Sequence, residues 1–114
     1  ETLRAEVDMS VIVELALFPT DKGTSVSAYV ARAVRIVRDS GLAFELGPMG
    51  TCIEGEWDAV MAVVSRCFKA LAADSERVYL TLKADYRKGP VGRLQGKVRA
   101  VESKLDSPGG PQAG

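Results

Sequence analysis

Apolar and polar residues alternate from Val7 to Phe18. Met9, Val11, Val13, Leu15 and Leu17 point one way, and Ser10, Ile12, Glu14, Ala16 and Phe18 the other. A period of two rich in branched residues predicts a strand. Pro19 ends it, because proline cannot donate to a ladder. Asp21-Lys22-Gly23 is turn chemistry, and Thr24 or Ser25 stands where a helix cap is needed. From Val26 to Ser40 the period lengthens. Val26, Tyr29, Val30, Ala33, Val34 and Val37 make an apolar helical stripe with Arg32, Arg35 and Arg38 off it, and Gly41 suits the position just past the end. Leu42 to Leu46 alternates again. Gly47-Pro48-Met49-Gly50 interrupts, and Thr51 to Glu54 reads as the returning strand of a hairpin. Gly55-Glu56-Trp57-Asp58 opens a second helix, in which Trp57, Val60, Met61, Val64, Phe68 and Leu71 recur at helical spacing with Cys67 beside them. Val78, Leu80, Leu82 and Ala84 alternate with Tyr79, Thr81, Lys83 and Asp85 in a fourth strand. After a Lys88-Gly89-Pro90 turn, Leu94, Val98, Val101 and Leu105 predict a last amphipathic helix.

The order is β-α-β-β-α-β with an extra C-terminal helix. Two split β-α-β units with helices on one face make an α+β fold, the ferredoxin-like sandwich. Right-handed crossovers then set an antiparallel sheet of order 4-1-3-2. Residues 1–106 are expected to form this single domain. Residues 107–114, Ser-Pro-Gly-Gly-Pro-Gln-Ala-Gly, have nothing to bury and are expected to be a disordered tail.

The helices are expected to cover Val11, Val13, Leu15, Leu17, Phe44, Leu46, Val78, Leu80 and Leu82. The opposite sheet face then carries Ile12, Glu14, Ala16, Phe18, Glu45, Thr51, Tyr79, Thr81 and Lys83. That face is too apolar for a solvated surface and too polar for a second core. Apolar groups with a few convergent polar ones describe a subunit interface or a ligand pocket. Glu14 and Lys83 lie on neighbouring strands and are expected to pair.

Composition narrows the chemistry. The 114 residues hold 15 Lys+Arg against 15 Asp+Glu and no histidine. A balanced charge argues against a module that lives on phosphate backbones, and few sheet aromatics argue against RNA, so no nucleic-acid partner is expected. Without histidine there is no Ser-His-Asp or Cys-His catalysis and no imidazole metal site. Cys52 and Cys67 are too few for a metal cluster or a disulfide framework, and they read as small core residues. No apolar run approaches bilayer length and no secretory leader pattern is present, so no membrane partner and a cytoplasmic location are expected. Glu54 and Glu56 flank Gly55 near a helix start, where acids read as capping groups rather than as an acid/base pair. Arg87, Lys88, Arg93, Lys97 and Arg99 form a basic segment suited to an anion or, with Glu102 and Asp106 close by, to a solvated helix face. No catalytic residue and no metal ligand is assigned.

Four stretches together resemble one family. They are Phe18-Pro19 leading into Ser25-Val26-Ser27-Ala28-Tyr29-Val30, the Phe44-to-Thr51 hairpin with its Pro48-Met49-Gly50-Thr51, Ile53-Glu54-Gly55-Glu56-Trp57-Asp58, and Arg77 to Arg87. Over roughly residues 8 to 105 the chain is similar to the small thiamine-binding proteins. The resemblance implies ferredoxin-like subunits that associate through their sheets as homodimers paired into homotetramers. It also implies binding of thiamine or its hydroxymethylpyrimidine part as a ligand, with no cofactor and no catalysis. Asp85-Tyr86-Arg87-Lys88 departs from the family's usual acidic pair followed by two arginines.

Thiamine joins a cationic thiazolium to an aminopyrimidine with both donors and acceptors. A carboxylate, a hydroxyl and an aromatic or thioether surface suit it. The expected ligand set is Glu45 on the pyrimidine, Thr51 and the Gly50 backbone orienting it, and Tyr79 or Met49 against a ring. Lys83 is included on the same face, and Ser25 and Ser27 are secondary polar candidates. The alternative is an oligomeric scaffold whose sheet face serves self-assembly and takes no small ligand.

Overall fold

Residues 9–89 and 92–106 are described in a computed structural model. Val7, Pro90, Val91 and the tail 107–114 lie outside them. The elements are β1 (Met9–Pro19), α1 (Ser27–Asp39), β2 (Ala43–Leu46), β3 (Thr51–Gly55), α2 (Trp57–Ala72), β4 (Val78–Lys88) and α3 (Arg93–Leu105). All strand pairs are antiparallel and the order is β2-β3-β1-β4, which is 4-1-3-2 read from the other edge. The expected ferredoxin-like sandwich is therefore the fold. β1 is its spine, because its whole length pairs with β4 while Val11 to Leu15 also pair with β3.

The core lies between one sheet face and the first two helices. Val11, Val13, Leu15, Leu17 and Ile53 meet Ala33 and Val37 of α1 and Val60, Val63, Val64, Cys67 and Leu71 of α2. The stripe of α2 is rotated from the expected one: Trp57 and Phe68 keep 43% and 41% of their surface, while Val63 and Cys67 are buried. Packing between the helices explains the rotation. The Cys67 thiol donates to the Ala33 carbonyl oxygen at 3.4 Å. Small residues at that crossing let α1 and α2 approach, and a phenyl ring would hold them apart.

The start of α1 differs from expectation, and that of α2 agrees apart from Gly55. Val26, not Thr24 or Ser25, occupies the cap position of α1, with no side-chain hydrogen bond there. Gly55 ends β3 rather than opening α2, and Glu56 caps α2 by accepting from the Asp58 and Ala59 N–H groups at 3.1 Å each. Arg32 ties the helices together, donating to the Ala70 carbonyl at 3.2 Å and to both Asp74 oxygens at 3.0 and 3.2 Å.

The larger surprise is α3, which crosses the face of the sheet opposite the other helices. Glu54 shares that face, since it lies opposite Ile12 and Ala43 in the ladder. Its carboxylate, 4% exposed, accepts from the N–H groups of Gly92, Arg93 and Leu94 at 2.9, 2.8 and 3.1 Å. Glu54 is a cap, as its type suggested, but for a helix forty residues away. Leu94 is buried beneath the helix, and Arg93 and Lys97 reach Asp85 on β4. One end of the face read as open is thus covered by the chain itself.

Candidate functional site

Short side chains leave a gap in the helix layer. Val30, Ala33, Val34 and Val37 of α1 face Leu15 and Leu17 of β1, and the turn joining β2 to β3 folds over the open end. The result is a cavity of about 270 Å³. The Gly47 N–H donates to the Gly50 carbonyl at 2.8 Å and closes the turn. A Cβ at Gly50 would stand 3.1 Å from the Leu15 carbonyl oxygen and 3.3 Å from Glu14 Cγ, so glycine lets the turn press against β1. Pro48 and Met49 form the lip, with Met49 84% exposed. Leu46 belongs to the helix-side face yet is 64% exposed, because α1 does not reach over it. Thr51 brings a hydroxyl to a wall that is otherwise almost wholly apolar.

A shallower groove adjoins this cavity and shares Val30, Val34 and Leu46 with it. Ser25 and Ser27 line it at the start of α1, and Arg35 and Arg38 at the far end. The two form a continuous recess, apolar inside and polar at the outer margin.

The opposite face holds a different set. Lys83 and Glu14 pair across strands at 2.9 Å, as expected, and the contact raises the lysine's pKa. Cys52 stands between Glu14 and Glu45 in the register. Burial, then the two carboxylates, push its thiol up. Tyr79 packs on Phe18 with ring centroids 5.7 Å apart.

The expected ligand set is therefore divided. Met49, Gly50 and Thr51 line the cavity, and Ser25 and Ser27 the groove beside it. Glu45, Tyr79 and Lys83 lie on the other side of the sheet. Thr51 was assigned to that side as well, and this is corrected: it lies opposite Leu15 and Leu46 and points with them toward the helices. Directly opposed residues of an antiparallel pair share a face. Sequence reasoning also missed the cavity wall, because Leu15, Leu17, Val30 and Val34 read as core. The available signal was the run of small and branched residues on α1 facing a Gly-Pro turn. Among the described residues no group of three or more His, Cys, Asp or Glu comes together to hold a metal.

The model of one protein family, described as thiamine-binding protein, matches residues 13–102. The chain belongs to the thiamine-binding protein family. A relative in that size class, a UPF0045 protein of Mycobacterium tuberculosis, is 43% identical over 101 residues, covering 88% of this chain and 99% of its own. The solved structure of the Methanocaldococcus jannaschii member, 31% identical, superposes with a TM-score of 0.76 over 82% of this chain and 96% of its own. A Thermotoga maritima protein named for thiamine biosynthesis or salvage is 26% identical, with a TM-score of 0.72 over 81% of this chain and 98% of its own. The thiamine-binding family match spans both walls of the cavity, from within β1 through the hairpin and α1. No helix among the described residues is long and apolar enough to cross a membrane.

Proposed function

We propose that this chain binds thiamine or a related hydroxymethylpyrimidine, without transforming it, in the cavity beneath the Gly47–Gly50 turn. The observation that carries this is the cavity itself. Its volume of about 270 Å³ exceeds the roughly 150 Å³ that admits a benzene ring, so a substituted six-membered ring fits. Family membership and the Thermotoga maritima relative's name supply the ligand class. The apolar walls take the ring faces, the Thr51 hydroxyl and Gly50 backbone orient the ring nitrogens and amino group, and Met49 closes the mouth. Ser25 and Ser27 meet whatever substituent leaves by the groove. Titration calorimetry with thiamine and with hydroxymethylpyrimidine is the test. Saturable heat that Thr51→Val weakens and Val34→Phe abolishes supports the reading. No heat at millimolar ligand overturns it.

A second reading concerns the other sheet face, where Tyr79 is 54% exposed and continuous with Phe18, Ala16 and Ile12. Apolar patches of this kind on small domains mark partners. Two such faces meeting about a two-fold axis would enclose Glu45, Lys83 and Tyr79 within a homodimer, and pairs of dimers would give a homotetramer. Light scattering that finds a monomer at micromolar concentration would remove this arrangement and leave the cavity proposal standing.

A further inference from the structure

Where β4 passes into α3, a second concavity of about 440 Å³ opens at the other end of the molecule. Its lining is unlike the first. Arg87, Lys88, Arg93 and Lys97 supply four cations, Gly89, Gly92 and Gly96 add no side chains, and among the described lining residues there is no carboxylate. Asp85 neutralises part of this charge by pairing with Lys97 and, at 3.5 Å, with Arg93. Among the described residues Arg87 and Lys88 have no ion-pair partner. Glu54, bonded to the Gly92 and Arg93 N–H groups, is a second carboxylate beside the pocket, and two carboxylates do not offset four like charges packed at a strand end. Arg93 is held nearly immobile, donating to the Asp85 carbonyl at 3.1 Å and the Ser10 carbonyl at 3.4 Å, yet its buried Nε has no hydrogen-bond partner.

Gly96 adds an independent observation. It sits inside α3, where alanine would stabilise the helix. Packing does not require it, because outside its own helix turn nothing lies within 4 Å of where its Cβ would stand, whereas Gly89 and Gly92 have φ of 138° and 107°, which themselves favour glycine. A glycine that weakens its helix and touches nothing leaves room for something to approach the backbone.

We infer that this pocket is an oxyanion site that takes a phosphate group, held by Arg87 and Lys88 on one side and by Arg93 and Lys97 across Gly96. Guanidinium and ammonium donors match tetrahedral oxyanions, with arginine able to bind two oxygens at once. The site is separate from the ring cavity. Ser10, opposite Arg87, and Ala16, which lines the ring cavity, lie six residues or about 20 Å apart along β1.

The test is an amide-resolved NMR titration at low ionic strength with inorganic phosphate, sulfate and glycerol phosphate. Phosphate is expected to shift the Gly89, Gly92 and Gly96 amides saturably. Arg87→Ala with Lys88→Ala should weaken it about tenfold, since hydrogen bonds to charged groups carry that much. Gly96→Ala should weaken binding while raising Tm, which a merely structural glycine would not do. Tighter glycerol phosphate than free phosphate would identify a phosphate ester as the ligand class, and the reverse order the free ion. Hydroxymethylpyrimidine binding should be unaffected in these variants, so the two sites fail or hold separately. Absence of shifts at about 10 mM phosphate, tenfold above a Kd of about 1 mM, or shifts that survive the double substitution, would overturn the inference.

Discussion

Removing the Glu54 carboxylate should release α3 from the sheet. Of the thirteen residues of α3, only Leu94 is buried, so apolar burial contributes little to its docking. The helix is held by three hydrogen bonds to one carboxylate and by the pairs to Asp85. A side-chain cap is worth about 1 kcal/mol and up to about 2. A charge at a partly buried helix start adds up to about 2 kcal/mol. Glu54→Ala is therefore expected to cost about 3 kcal/mol of α3 docking, or about a hundredfold in its opening equilibrium. Glu54→Gln should cost nearly as much. Oε2 accepts from Gly92 and Arg93 while Oε1 accepts from Leu94, and a glutamine amide would set a donor against one of them. Hydrogen exchange reads this directly: α3 amides should lose about a hundredfold of protection while the β1 and α2 amides keep theirs. Glu56→Ala is the control, because that carboxylate caps only its own helix and should cost about 1 kcal/mol. Unchanged α3 protection in Glu54→Ala would refute the latch.

Other outcomes follow from particular contacts. The carboxyls of Asp21, Asp74 and Asp85 are held below their usual range, chiefly by hydrogen bonds from the Glu76 N–H, from Arg32 and from Lys97 respectively. A depressed folded-state value contributes stability that is complete above the unfolded value near 3.8 and is lost as pH falls through the folded ones. Urea midpoints should therefore decline below about pH 4, and less steeply in Asp74→Asn. Burial pushes the Cys67 thiol up to about 11, so a thiol reagent should label Cys52 in the native chain and reach Cys67 only on unfolding. Replacing Tyr79 by Glu should disfavour any sheet-to-sheet assembly detected by light scattering while leaving ligand heat unchanged.

Element types and sheet order were legible because the chain changes period cleanly, from two to helical and back, with Gly and Pro at the joints. What patterning could not resolve was rotation and reach. The stripe of α2 contains both Phe68 and Cys67 within the apolar arc, and the choice between them depends on how closely α1 approaches, which only the packed helices decide. The destination of α3 was hidden for a similar reason. Its stripe of Leu94, Val98, Val101 and Leu105 signals an amphipathic helix, but its position is set by Glu54, and a capping carboxylate on a distant strand leaves no local trace in the sequence.

The division of the candidate site comes down to parity across one turn. Side chains alternate along a strand, so a hairpin connection of four residues decides whether the first residue of the return strand faces with or against the last residue of the outgoing one. Leu46 and Thr51 are paired, and Gly47 bonds Gly50 between them, so Thr51 must share the face of Leu46. The pairing of Thr51 with Leu15 on its other side fixes the same face. The residue types suited to a pyrimidine are all in the sequence. The turn gathers Met49, Gly50 and Thr51 at the helix-side cavity and leaves Glu45 behind the sheet, with Cys52 between it and Glu14. Ring recognition at the cavity must therefore rest on apolar walls, one hydroxyl and backbone groups, without a carboxylate. That chemistry favours a flat, weakly charged heterocycle over the thiazolium cation, so hydroxymethylpyrimidine should bind at least as tightly as thiamine itself. Calorimetry with the two ligands side by side decides it, and a clear preference for thiamine would mean that a carboxylate from outside this cavity completes the site.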